Sequence, residues 1–172
     1  MREINICKRV DGKNGIVVAK ALVDDEDYVI VNKYSWYMVK YGYAVTNVKK
    51  TDGKQIMLKM HKLVTGTVGS GIKVQVDHIN NNKLDNRRAN LRVCSPAENK
   101  RNCKMSVKNT TGFKGVSYHK QAMKWRAMIM VNGKKIHLGL FICILKAAKT
   151  YDEAAIKYFG EFACTNKSMG LL

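Results

Sequence analysis

The chain has 172 residues, enough for one ordinary domain or two small ones, and 46% of them are hydrophobic, which excludes a disordered chain. Lys and Arg number 31 against 13 Asp and Glu, giving a formal net charge of +18 and a pI near 9.8. Such an excess repels itself in a compact protein, so it indicates a polyanionic partner: nucleic acid first, an anionic membrane surface second.

The positive charge is spread along the chain. Residues 1–100 hold 18 basic and 10 acidic residues, and residues 101–172 hold 13 and 3. A basic disordered tail would concentrate the charge at one end. Both halves are therefore expected to touch the same polyanion.

Targeting and redox signals point to the cytoplasm. The start, MREINICKRV, lacks the apolar core of a signal peptide, and the longest apolar run, LGLFICIL (138–145), is far too short to span a membrane. The five cysteines are odd in number and widely spaced, which favours reduced thiols. Because there is no C-x-x-C pair, no structural zinc is expected.

The first half alternates helix, strand and loop signals. An acidic cluster begins VDDEDYVIVNKYSW (23–36) and predicts a helix near 24–33, since acidic residues favour the positive end of a helix. Strands are predicted in WYMVKYGYAVTNVKK and KQIMLKMHKLV around the turn TDGK (51–54), in IKVQVDHI (72–79), and in LRVC (91–94) after the polar loop 80–90.

A well-marked helix start follows in SPAENKRN (95–102). Ser95 is a suitable N-cap, Pro96 suits the first helical position, and Glu98 completes a capping box. The predicted order strand, loop, strand, helix brings four polar residues together: Asp77, His78, Asn90 and Asn99.

These residue types suit phosphodiester hydrolysis. Asp and Asn oxygens are hard ligands of the kind that Mg²⁺ takes in small numbers beside substrate phosphates. Histidine acts as a general base near neutral pH. A cation with few protein ligands beside a histidine, in a strongly basic protein, predicts a nuclease site.

At this point the residues resemble a known family. VDHINNNKLDNRRANLRVCSPAENKRN (76–102), with MHKLVTG (60–66) before it, is similar to the HNH motif of phage and intron-associated homing endonucleases. The resemblance implies a ββα-metal fold in which Asp77 and Asn99 ligate one Mg²⁺ or Mn²⁺ and His78 is the general base. Asn90 would orient His78 or brace the loop.

Residues around the motif receive simpler interpretations. The asparagines Asn80, Asn81, Asn82 and Asn86 are interpreted as loop formers, and His61 as a packing residue in preference to a phosphate contact. Five cations surround the motif as candidate contacts to backbone phosphates, with a solvated surface as the alternative for each. They are Arg87, Arg88, Arg92, Lys100 and Arg101.

The second half has its own pattern after a linker-like stretch, MSVKNTTG (105–112). Three short strands are predicted in KGVSYHK, KWRAMIMV and KKIHLGLF, with the dipeptide NG (132–133) as a hairpin turn. An alanine-rich amphipathic helix follows over 146–160, ended by Gly160. The pattern predicts a three-stranded antiparallel sheet covered by one helix.

This unit (112–163) resembles the Apetala-two/ethylene-response-factor DNA-binding domain, which implies that the sheet enters the major groove. Strand alternation leaves Lys114, Ser117, His119, Arg126, Lys135 and His137 for DNA. Met128 and Met130, with Ser117 and His119, stand where the plant domains carry arginines and tryptophans, so no base preference is carried over. Ile142 to Leu145 offer no good N-cap, so the helix start is poorly defined and the segment predicts an exposed apolar patch or a poorly stable module.

The sequence therefore predicts an α+β protein. A ββα-metal nuclease domain with an N-terminal extension (1–104) and a linker (105–112) precede a DNA-binding sheet packed on one helix (113–172). The predicted function is a homing or nicking DNA endonuclease with one metal ion and a histidine base. The alternative is a non-catalytic, sequence-specific DNA-binding regulator; a membrane-surface protein explains the charge but neither motif.

The expected partner is double-stranded DNA, without a membrane or a small-molecule cofactor. The expected state is a monomer or weak dimer in the cytoplasm of a bacterium or phage-infected host cell.

Overall fold

A computed structural model of the protein describes residues 1–10 and 13–172, without the side chains of residues 13 and 14. The chain separates into two compact units, Met1–Pro96 and Ala97–Leu172. The division falls inside a short helix, α3 (Pro96–Arg101), so nearly all of that helix belongs to the second unit.

The first unit contains a five-stranded sheet of strand order β2-β1-β3-β4-β5 and a separate two-stranded sheet of β6 and β7. Strand β1 pairs with β3 in parallel, and the other pairs in this unit are antiparallel. The elements are β1 (Arg2–Val10), β2 (Lys13–Val23), α1 (Asp25–Val31), β3 (Trp36–Met38), β4 (Ala44–Lys49), β5 (Gln55–Lys59), α2 (Met60–Val64), β6 (Gln75–His78) and β7 (Leu91–Cys94).

One hydrophobic core joins these elements. Alternation in β1 turns Ile4 and Ile6 inward, where they meet the fully buried Trp36, whose indole N–H donates to the Val31 carbonyl at 2.8 Å. Val76 of β6 and Leu91 of β7 belong to the same core. The small β6–β7 hairpin is therefore anchored on the larger sheet through its apolar face.

The second unit is a three-stranded antiparallel sheet of order β10-β9-β8 with one long helix on it. Its elements are β8 (Val116–His119), β9 (Lys124–Val131), β10 (Lys134–Phe141) and α4 (Ile144–Phe159). The β9–β10 turn places Asn132 and Gly133 at positive φ, 49° and 79°, as a type I′ hairpin turn requires. Gly160, with φ 54°, ends α4.

Alanines allow α4 to lie close to the sheet. Ala147, Ala148, Ala154 and Ala155 are buried against Val116, Ala127 and Ile129 of the strands. The α+β fold class, with its sheet on one helix, is confirmed. Helix α4 begins after Cys143, the described contacts include no side-chain hydrogen bond at that N-cap, and Ile142 is exposed.

Three local predictions differ from the structure. The long β1–β2 hairpin was not predicted, because its outer half carries exposed apolar residues that blur the period-two pattern. Residues 60–64, predicted as strand, form α2, whose Met60 and Val64 point into the core at helical spacing. The strand predicted over 72–79 spans only Gln75–His78.

Among the described residues, no helix is both long enough and apolar enough to cross a bilayer.

Candidate active site

The β6–β7 hairpin positions the two polar residues that the sequence singled out. Asp77 lies opposite Arg92 and His78 lies opposite Leu91 in the antiparallel register. Both Asp77 and His78 are buried, at 5% and 4% exposure. Because neighbours in a strand point to opposite faces, the two side chains have different surroundings.

Asp77 is held by an arginine. Arg92 donates from Nε and Nη2 to Asp77 Oδ2, at 2.9 and 2.6 Å, and its own side chain is only 11% exposed. A charge-assisted pair of this kind fixes the carboxylate and offsets its charge. Arg92, predicted as a phosphate contact, is thus found bound to the predicted metal ligand.

His78 sits among three side chains that line one side of the site. Its Nε2 lies 3.4 Å from Oδ1 of Asn86, its ring meets His61 edge to face at a centroid distance of 5.1 Å, and Tyr43 lies beyond at 6.1 Å. Burial lowers the pKa of His78, and the hydrogen bond with Asn86 opposes that shift. Burial therefore favours a neutral imidazole, the form that accepts a proton.

His61 is a packing residue, as predicted. It is buried between His78 and Tyr43, whose ring centroid lies 5.2 Å away. Burial lowers the pKa of His61 to about 3, and the nearby His78, Lys59 and Lys62 add to the effect. A neutral His61 therefore adds no positive charge beside the His78 ring.

Asn86 is the residue that the sequence interpretation missed. It was assigned to the loop as a turn former, but its side chain is fully buried and faces His78. Its backbone N–H donates to the Leu22 carbonyl at 2.8 Å, which ties this point of the loop to β2. The sequence carries no signal that separates Asn86 from the other asparagines of this loop, because its burial depends on how the loop packs on β2.

Asn90 braces the loop that crosses between the two strands. Its Nδ2 donates to the Asp85 carbonyl at 2.8 Å, its Oδ1 accepts from the Asn80 N–H at 3.0 Å, and its carbonyl accepts from the Ile79 N–H. Asn80 in turn donates to the Asp85 carboxylate. Of the two roles expected for Asn90, these contacts support the bracing of the loop.

Two further arginines of the loop are paired with buried carboxylates. Arg87 binds both oxygens of Asp85 at 2.7 Å, and this pairing lowers the pKa of Asp85. Arg88 binds both oxygens of Asp27 in α1, at 2.8 and 2.7 Å. Both guanidiniums remain partly exposed, so the prediction that they also meet phosphates stays open to test.

The remaining candidates lie in the second unit. Asn99, Lys100 and Arg101 are on α3, and the Arg101 guanidinium lies over the Phe159 ring at 5.3 Å. Lys114 donates from Nζ to the Cys103 carbonyl at 2.5 Å and approaches that of Arg101. Burial lowers the pKa of Lys114. Its ammonium thus holds the end of α3 instead of lying on the open sheet face.

The open face of the sheet carries the other predicted DNA contacts. Arg126 lies beside Ser117 on the neighbouring strand, with Nε and Nη2 3.4 and 3.3 Å from its hydroxyl. Lys135 and His137 are exposed on β10. His119 accepts the Ala122 N–H at 3.2 Å through Nδ1, which fixes it in the β8–β9 turn.

Each half of the chain is similar in sequence to known proteins. The family profile described as HNH endonuclease matches residues 62–101, the segment from α2 to α3. An uncharacterised HNH endonuclease of Acanthamoeba polyphaga mimivirus is 32% identical over 148 residues, which cover 86% of this chain and 74% of that protein.

The chain belongs to the HNH endonuclease family. Protein 3.8 of Escherichia phage T7 is also similar, 40% identical over 60 residues that cover 35% of this chain and half of that protein. APETALA2-like protein 2 of rice is 44% identical over 62 residues, which are 35% of this chain and 14% of the plant protein. The HNH domain is therefore joined to an Apetala-two type domain, and DNA is the partner of this nuclease.

HNH nucleases generally use divalent metal ions. Asp77 offers carboxylate oxygens, the hard donors that Mg²⁺ and Mn²⁺ prefer, so its chemistry fits such an ion. Asn99 lies on α3 in the second unit, and its amide oxygen is a donor of the same kind.

Proposed function

We propose that this protein is a metal-dependent endonuclease that hydrolyses phosphodiester bonds in duplex DNA, with His78 as the general base. The observation that supports the proposal most is the buried His78 beside the Arg92-bound Asp77 at the end of one strand. Asp77 and Asn99 are the proposed ligands of a single Mg²⁺ or Mn²⁺. When bound, such an ion would stabilise negative charge on the phosphate and the leaving oxygen.

His78 takes a proton from the attacking water. Burial lowers its pKa, so the imidazole is neutral at physiological pH and carries a basic lone pair on one nitrogen. With Asn86 Oδ1 accepting from Nε2–H, the lone pair lies on Nδ1, since the hydrogen bond at one nitrogen selects the tautomer. Asn86 is thus proposed as a positioning residue that sets which nitrogen acts as base.

Two other residues, Asn90 and Arg92, maintain this arrangement. Asn90 closes the crossing loop through its bonds to Asp85 and Asn80. Arg92 fixes the Asp77 carboxylate. Arg87 and Arg88, anchored on carboxylates but partly exposed, are proposed to meet the DNA backbone near the cut.

The second unit is proposed to dock on duplex DNA through the open face of its sheet. Arg126, Lys135 and His137 are proposed as its contacts with DNA, together with Ser117 and His119. A nuclease site and a docking face on one chain raise each other's effective concentration at the target, so neither has to bind tightly alone.

A supercoiled plasmid assay tests the nuclease function. Purified protein is incubated with DNA from its native locus in Mg²⁺, in Mn²⁺ and in chelator, and nicked and linear products are separated on a gel. We expect cutting with either ion, none with chelator, and a loss of at least about 100-fold for His78→Ala, because a general base contributes about 10²–10⁴.

Ile79→Ala is the matched control, since Ile79 is adjacent to His78 but has an exposed side chain. It should cut at the wild-type rate. Binding of the same DNA without any cutting would support the non-catalytic regulator instead. Nicked product alone would indicate that one chain cuts one strand. Linear product would indicate that two chains act together and cut both strands.

A further inference from the structure

The open face of the second sheet has an apolar stripe where a DNA-reading surface is expected to be polar. Met130 and Leu140 are 50% and 39% exposed, and Met128 is partly exposed between them. All three belong to the face opposite α4, because their strand neighbours Ala127, Ile129 and Phe141 pack in the core with the helix. They are therefore not needed to hold the helix on the sheet.

A bulge in β10 places Leu140 on this face. The β9–β10 pairing changes register between His137 and Gly139, so that Leu140 lies opposite Arg126 and Met130 lies opposite Lys135. Without the extra residue, strict alternation from Lys135 and His137 would turn Leu140 toward the helix. The stripe is a product of the fold and is not visible in the strand pattern alone.

Cations flank the stripe, and the stretch of sequence that forms the sheet contains no carboxylate. Lys135 flanks Met130, Arg126 flanks Leu140, and Lys124 lies at the next position outward on β9. The sequence has no Asp or Glu between residues 99 and 151. This charge is complementary to a phosphate backbone on either side of the stripe, so the occupant is duplex DNA.

Thioether and aliphatic side chains have one specific target in the major groove. They cannot hydrogen-bond to base edges, but they make apolar contact with the C5-methyl group of thymine. Methionine is also flexible enough to follow a methyl group in slightly different positions. We propose that Met128, Met130 and Leu140 read thymine methyl groups, so that the second unit prefers thymine-bearing sites. This inference rests on the proposed docking of the sheet on DNA.

The length of the stripe also limits the number of base pairs that it can read. From Met130 to the position opposite Leu140 is four residues along β9, roughly 13 Å at the usual strand rise. Since base pairs are stacked about 3.4 Å apart, the methyl groups that it reads fall within about four base-pair steps.

The test compares duplexes that differ only in a methyl group. Full-length protein in chelator, which prevents cutting, is titrated against 30-base-pair alternating duplexes of dA-dT, dA-dU, dG-dC and dG-5-methyl-dC. Each buried methyl group is worth about a fourfold change in affinity. We expect dA-dT to bind at least fourfold more tightly than dA-dU, and the 5-methyl-dC duplex more tightly than dG-dC.

A triple variant, with Met128, Met130 and Leu140 each changed to Gln, should bind all four duplexes with similar affinity. Met123→Gln, an exposed methionine in the β8–β9 turn, is the control and should keep the wild-type preference. Equal binding of the wild type to dA-dT and dA-dU, or a preference that survives the triple variant, overturns methyl reading while docking stands. Failure to bind any of the duplexes even at low salt overturns the docking itself.

Discussion

The contact between His78 and Asn86 is central at the scale of single residues. Asn86 is fully buried, and its Nδ2 is the one buried side-chain N or O atom without a hydrogen-bond partner among the described residues. An unpaired buried amide costs roughly 1–3 kcal/mol. Asn86 is present despite this cost, and its Oδ1 contacts His78. Both observations support a role for Asn86 in positioning the proposed base.

Asn86→Leu should slow cutting by about tenfold or more, because the imidazole loses the acceptor that selects its tautomer. Asn86→Asp keeps an acceptor oxygen and should recover most of the rate. Single-turnover cleavage at saturating protein measures the effect, with circular dichroism to verify folding. If the two variants are equally slow and equally folded, the side chain has only a structural role.

The buried His61 should make the first unit less stable as the pH falls. Its folded pKa is about 3 against an ordinary 6.5, so between these pH values the unfolded state binds more protons and stability falls as pH falls. From pH 7 to pH 5 this one group should remove about 2 kcal/mol from the free energy of unfolding.

The measurement is urea unfolding followed by Trp36 fluorescence in a Trp125→Phe background. His61→Gln should lose about 2 kcal/mol less than the parent between pH 7 and pH 5. The exposed His137→Gln should follow the parent profile. Parallel pH profiles for His61→Gln and its parent would show that His61 is not the titrating group.

At the scale of secondary-structure elements, a turn glycine decides how the second unit closes. Gly115 precedes β8 with φ 75°, and a Cβ built there would lie 1.9 Å from a ring carbon of Tyr151 on α4. Gly112 has nearly the same φ, 76°, but a Cβ added there would meet no atom within 4 Å. The two glycines separate backbone strain from contact with the helix.

Gly112→Ala should cost about 1–2 kcal/mol for the left-handed backbone alone. Gly115→Ala should cost more than about 3 kcal/mol, because the tyrosine ring must also move. Hydrogen exchange of amides in α4 measures the loss, with amides of β4 in the first unit as internal reference. Equal loss of protection in both variants would argue against close packing of Gly115 on Tyr151.

At the scale of the whole molecule, positive charge is divided between paired and available cations. Arg87, Arg88 and Arg92 in the first unit are bound to aspartates. In the second unit, Arg126 lies beside a hydroxyl. Cations that are not neutralised within the protein can displace counterions from DNA. The second unit should therefore account for a large part of the salt dependence of DNA binding.

Arg126→Gln and Lys135→Gln should each lower the slope of log affinity against log salt by about one. Each should weaken binding to different DNA sequences by a similar factor, so that the preference among sequences stays the same. Fluorescence anisotropy with one duplex at four salt concentrations gives the slope. Lys54→Gln removes an exposed cation paired with Asp52 in the β4–β5 turn and should leave it unchanged. An unchanged slope in both test variants would refute docking through this face.

The sequence by itself determined the second sheet and its helix, the β6–β7 hairpin with its following helix, and the identity of Asp77 and His78 as the polar pair at a strand end. These are local patterns: period-two alternation, an NG turn, a proline-led helix start and a compact motif within 27 residues. Local patterns survive folding because each element's own residues specify them. The long β1–β2 hairpin and helix α2 were not predicted, because the spacing of their apolar residues fits both a helix and a strand.

Only the tertiary structure decided which side chains surround His78. Asn86, His61 and Tyr43 come from different elements, and their distances depend on how the crossing loop lies on β2 and how α2 packs in the core. It also decided that three predicted phosphate-binding arginines have carboxylate partners, and that a one-residue bulge turns Leu140 to the open face. Such pairings depend on the register and packing of distant segments, which no short stretch of sequence specifies.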